Sequence, residues 1–151
     1  SQNYGQNAIP TESSNYYNII KLLDDYFVGK DTERAVIFLL NKQNYITFHK
    51  QLSYGDENHV VINKYDVLDL ARRFQAAKVV LAHNHTSGSL FPSVEDFIMT
   101  KEIFKLLKDD NIILFDHIIY AKSGYFSFAN SLIMDAISRR LENPDFNPTW
   151  D

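Results

Sequence analysis

Two short stretches, AVIFLLN at 35–41 and KVVLAHN at 78–84, are apolar almost without interruption. A run of that length with no polar alternation is a strand buried on both faces, so the chain must build a covered sheet. The covering helices are legible too. Apolar positions 19, 20, 22, 23, 26 and 27 form a helical stripe that Gly29 can stop, and Ser13 or Ser14 is a candidate cap for it. Val67, Leu68, Leu70, Ala71 and Phe74 repeat that spacing over 65–77, Pro92 and Ser93 open a helix running to about 108, and a last helix is expected over 130–142. Further strands are expected at 45–53, at 59–63 (HVVIN), at 111–121 and at 125–129, the last two joined at a Ser123-Gly124 turn. The order α-β-β-β-α-β-α-β-β-α describes one α/β domain with a mixed β-sheet flanked by helices. Residues 1–14 read as a flexible leader, 15–142 as the domain and 143–151 as a C-terminal tail.

Composition narrows the chemistry. The chain of 151 residues contains no cysteine, which excludes a disulfide scaffold, a thiol nucleophile and any thiolate zinc site. Metal chemistry is left to Asp, Glu and the five histidines, at 49, 59, 83, 85 and 117. With 15 basic and 19 acidic residues the net charge is −4, which gives no general phosphate-binding surface. DNA as a partner therefore rests on local basic residues such as Arg72, Arg73, Arg139 and Arg140. No apolar run reaches the roughly 18 residues that a membrane span needs, and the N-terminus lacks a charged-then-apolar signal pattern. Absent cysteines fit a reducing compartment, so the expected location is cytoplasmic. Nothing in the sequence sets the oligomeric state.

The densest chemistry lies in His83-Asn84-His85-Thr86-Ser87-Gly88 and the Pro92-Ser93-Val94-Glu95-Asp96 that follows. Side chains two apart on an extended segment point the same way, so His83 and His85 can aim both imidazoles at one point. Gly88 lets the loop turn back, and Asp96 lies in the first turn of the next helix. Two histidines and one aspartate give three ligands and leave a fourth position open, the pattern of a catalytic zinc. Such a zinc lowers the pKa of its water to about 7. Plainer roles are open as well: a histidine at a strand end is often only packed, and Ser93-x-x-Asp96 is also a helix capping box. The zinc deaminase pattern of the same kind needs cysteines that are absent, and other histidine-rich hydrolase patterns need an acid and a histidine where Ser87 and Gly88 stand.

The spacing His83-x-His85, seven residues, Ser93, two residues, Asp96 resembles the JAMM motif of JAB/MPN metallopeptidases. HNHTSG…PSVED is similar to the HNHPSG…PSxxD signature of the RadC-like branch, and ERAVIFLLN (33–41), Ser53-x-Gly55, AAKVVLAHNH (76–85), DHIIY (116–120) and YFSF (125–128) extend the likeness over roughly residues 15 to 131. The resemblance implies the JAB/MPN, cytidine-deaminase-like architecture. It implies zinc on His83, His85 and Asp96, with Ser93 donating to a developing oxyanion. It also implies an upstream glutamate as general base and then acid, a slot that Glu33 matches and for which Glu57 is the second choice. His117 is either core or a residue orienting a ligand.

Two departures stand out: Thr86 replaces the usual proline, and Asn63-Lys64-Tyr65-Asp66 replaces a Pro-Arg-Glu helix start. RadC proteins usually carry an upstream helix-hairpin-helix segment that residues 1–14 are too short to hold, so a stand-alone JAB domain or a fragment is expected. Three activities follow from the likeness. One is a zinc-dependent hydrolase of peptide or isopeptide bonds. The others are a DNA-repair-associated protein and a non-catalytic scaffold, for which Phe146 and Trp150 in the tail offer a contact surface.

Overall fold

The run at 78–84 becomes the central strand of a five-stranded sheet and the run at 35–41 one of its two neighbours. The computed structural model describes residues 12–54 and 60–145. Along the chain these form helix α1 (Glu12–Phe27), strands β1 (Arg34–Leu40) and β2 (Ile46–Tyr54), helix α2 (Lys64–Arg73), strand β3 (Lys78–Asn84), helix α3 (Val94–Lys108), strands β4 (Ile113–Ala121) and β5 (Gly124–Ser127), and helix α4 (Ile133–Glu142). The sheet order is β2-β1-β3-β4-β5. β3 and β4 are parallel, joined through α3, and the other neighbouring pairs are antiparallel. The chain is thus a single small α/β domain with a mixed sheet.

Strand alternation sorts the core into two layers. Ala35, Ile37, Leu39, Val79 and Leu81 face a cluster shared with α2, α3 and α4. Val36, Phe38, Leu40, Val80 and Ala82 face the other way, onto Ile19, Leu23 and Phe27 of α1. Each of those three α1 side chains is buried, which at about 1.5–3 kcal/mol apiece suffices to hold a single helix on that face. Gly29 ends α1 in the left-handed region at φ +75, where a side chain would be strained.

One residue breaks the alternation. Val79 pairs with Leu114, but Val80 pairs with Asp116, so Phe115 is an extra residue on β4. The bulge shifts the phase of everything after it. Leu114 before it and Ile119 after it both belong to the α2–α4 cluster, and His117 follows Ile119 onto that face.

Three expectations require correction. HVVIN was expected as a strand, yet residues 60–63 form none: Val61 is 64% exposed, Ile62 packs with α2, and Asn63 caps α2 by accepting from the amides of Tyr65 and Asp66. A segment committed to starting a helix has no ladder to join. α1 already begins at Glu12, so Ser13 and Ser14 lie inside it instead of capping it. The last helix starts at Ile133, not 130, because Leu132 turns at φ +68. Residues 1–11, 55–59 and 146–151, including Glu57, His59, Phe146 and Trp150, lie outside the described residues.

Candidate metal centre

The β1–β3 register decides which side chains share a face. Ala35 pairs with His83 at the end of this antiparallel ladder, and carrying its register two steps beyond the strands sets Glu33 level with His85. Residues directly opposite point to the same side, which puts Glu33, His83 and His85 on the α2–α4 face. Asp96 arrives from the first turn of α3. Its position is fixed by the capping box, in which Ser93 Oγ accepts from the Asp96 amide at 3.0 Å and Asp96 Oδ2 accepts from the Ser93 amide at 2.9 Å.

His83, His85 and Asp96 converge. The two Nε2 atoms are 3.0 Å apart, while Asp96 Oδ1 lies 3.2 Å from His83 Nε2 and Oδ2 3.0 Å from His85 Nε2. Zinc–nitrogen bonds of about 2.0–2.1 Å in a tetrahedron give ligand edges of about 3.3 Å, close to these separations. His83 is fully buried and His85 only partly so.

The protons tell the same story. Thr100 donates its single hydroxyl proton to the Asp96 carbonyl at 2.6 Å. Its oxygen, also 2.6 Å from His117 Nδ1, must therefore accept there, which makes Nδ1 the protonated nitrogen of a neutral His117. His117 Nε2 then accepts from His83 Nδ1 at 2.8 Å, and His83 Nε2 is left with a bare lone pair. His85 reaches the same state more simply, since its Nδ1 lies 2.9 Å from the Ser89 carbonyl, which can only accept. Two imidazole lone pairs and a carboxylate thus meet at one point. That arrangement repels itself unless a cation, proton or metal, sits between. The donor set fits a divalent ion such as zinc.

The titration behaviour follows. The hydrogen bond to Asp96 raises the pKa of His85 against the opposing effect of burial, with the Ser89 carbonyl and the charges of Asp96 and Glu33 adding to it. Burial works against ionisation of Asp96, but its bonds to His83 and His85 outweigh that and hold the carboxyl well below the usual range. His117 is pushed down by its complete burial and by the charge of His83, so it stays neutral as the proton arrangement requires. Its ring is also clamped, stacked on Phe128 at 4.9 Å between centroids.

This arrangement yields a direct expectation. Thr100→Val keeps the shape and removes the acceptor for His117 Nδ1, so the affinity of the His-His-Asp group for a divalent ion such as zinc should fall about ten- to a hundredfold with the fold retained. Competition against a chromophoric chelator measures this, and an unchanged affinity would show that the chain behind His83 does not tune it. Thr100 was not legible as a functional residue, although it lies one turn from Asp96 on the same face of α3.

Glu33 is 7% exposed, and its Oε2 accepts from the Thr86 amide at 3.4 Å. The substitution of threonine for proline at 86 supplies that amide, since proline has none. Glu33, His85, Ser93 and Asp96 all line one groove of about 990 Å³, which runs between the start of α2 and the first half of α3. Exposed apolar side chains stand along it, among them Tyr65 at 63% and Phe91 at 77%. The arginines named as a local basic patch are largely matched with acids instead. Arg72 makes a two-bond pair with Asp110, Arg73 pairs with Asp69 and Arg139 with Asp135. His49 lies elsewhere, with its Nδ1 2.6 Å from the hydroxyl of Tyr26. No helix among the described residues is long and apolar enough to cross a membrane.

The family model for the RadC-like JAB domain matches residues 13–133. That span takes in all but the first residue of α1, the whole sheet, the convergent histidines and the capped start of α3. A match over so much of the sequence, together with a mixed sheet and a His-His-Asp group able to hold a metal, settles the relationship: the chain belongs to the RadC-like JAB domain family.

Proposed function

We propose that this protein is a zinc-dependent hydrolase of peptide or isopeptide bonds. The observation that carries the reading is the convergence of the His83 and His85 Nε2 atoms and the Asp96 carboxylate in the wall of an open groove. His83, His85 and Asp96 would hold the ion. When bound, such an ion supplies Lewis-acid activation of water and of the scissile carbonyl.

The remaining work falls to the chain's own groups. Glu33 takes a proton from the attacking water and returns it to the leaving nitrogen, with Oε2 anchored on the Thr86 amide. Ser93 accepts with its oxygen in the capping box, which leaves its hydroxyl proton free to donate to the developing oxyanion. The two roles use opposite ends of the same hydroxyl. A groove with exposed Val61, Tyr65, Phe91 and Ile98 suits an extended polypeptide with apolar side chains.

Metal analysis of protein purified without chelators should find one zinc per chain. Cleavage of a panel of peptide and isopeptide substrates should stop on chelation and return on adding zinc. Metal-free protein from that preparation would overturn the proposal.

A further inference from the structure

Between the two histidines stands Asn84, which faces away from both of them by strand alternation and has no part in the chemistry above. It is 4% exposed. The last backbone pair of the β1–β3 ladder is Ala35 with His83. One step beyond it the side chain takes over: Asn84 Oδ1 accepts from the Arg34 amide at 2.6 Å, and Nδ2 donates to the Thr32 carbonyl at 3.1 Å. The amide orientation is fixed, because a backbone N–H only donates and a carbonyl only accepts.

A carboxamide carries the donor and acceptor of a peptide group. Asn84 therefore adds one more rung to the ladder after the strands stop pairing. The two groups it grips flank a single residue, Glu33. We infer that Asn84 is the positioning residue for Glu33, fixing the backbone on both sides so that the carboxylate stays in the groove with His85 and Asp96. The inference rests on the role given to Glu33 in the proposed function. Three replacements lack what this takes: aspartate has no donor for Thr32, leucine has neither group, and serine is too short to bridge both.

The test uses nitrogen-15 spectra of the zinc-loaded protein, with the Thr86 amide as reporter because it donates to Glu33. Glu33→Gln gives the size of the Thr86 shift that follows from altering that acceptor. Asn84→Asp, which keeps the shape and the acceptor for Arg34, should shift Thr86 as well and leave the zinc content at one per chain. The double variant Asn84→Asp/Glu33→Gln should move Thr86 no further than Glu33→Gln alone, as expected when one residue acts through the other. In Asn84→Leu, hydrogen exchange at the Arg34 amide should quicken about tenfold. A Thr86 resonance unmoved in Asn84→Asp, shifts that simply add in the double variant, or zinc lost from Asn84→Asp would each overturn the inference. None of these readings needs turnover, so a wild type that binds zinc and cleaves nothing would count against the hydrolase and leave the Thr86 comparison to decide on Asn84.

Discussion

Asp96→Asn protein is expected to lose its stoichiometric zinc and keep its fold. The asparagine oxygen can still accept from the Ser93 amide, so the cap on α3 survives. What disappears is the negative charge at the meeting point of the two imidazoles. A neutral amide is a poor ligand for zinc, and without the carboxylate the dication faces two imidazoles with no negative charge in the ligand set to balance it. Elemental analysis of purified protein measures the loss, and full zinc occupancy in the variant would remove Asp96 from the ligand set.

The same substitution has a pH signature in the metal-free protein. His85 is raised, so its stabilisation is present below the ordinary imidazole value near 6.5 and disappears as pH climbs through its folded value. Asp96 is lowered, so its stabilisation is present above the ordinary carboxylate value and is lost on acidification. Their pairing therefore helps most between about pH 4 and 6.5. Thermal unfolding should separate wild type from Asp96→Asn more widely at pH 5 than at pH 8. His117 weakens both proteins as pH falls, the variant no less than the wild type, because the Asp96 charge that raises its pKa is missing from the variant.

Glu33→Gln should retain zinc and lose turnover by about 10²–10⁴-fold, the usual worth of a positioned general acid–base. Glutamine is close in shape to glutamate and can still accept from the Thr86 amide, now through a neutral oxygen. Only the ability to take and return a proton is removed. Steady-state rates on any peptide the wild type cleaves, with zinc content measured on the same samples, test this directly. A variant with unchanged rate would return attention to Glu57, the second upstream acid named from the sequence.

Much of this site was legible because its parts are local. His83 and His85 share a face by the two-residue period of a strand, and Ser93 with Asp96 declares a helix start by the three-residue spacing of a capping box. The same locality misled at HVVIN. A β-branched run reads as a strand whether or not a partner edge exists, and here the run leads instead into the cap of α2. Asn84 and Thr100 gave no signal, since each acts through a bond to a group that sequence spacing does not bring near or mark as reactive.

The sequence by itself determined the ligand types, with cysteine absent, and the placing of two histidines and a capped aspartate on either side of one loop. Only the tertiary structure decided the rest. The antiparallel register of β1 on β3, carried two steps past its last pair, sets Glu33 level with His85, and the extra residue at Phe115 turns His117 toward His83. Backbone periodicity is a property of neighbouring residues and can be read along the chain. Register and bulges are set between strands that meet only when the core has closed, so no local pattern records them.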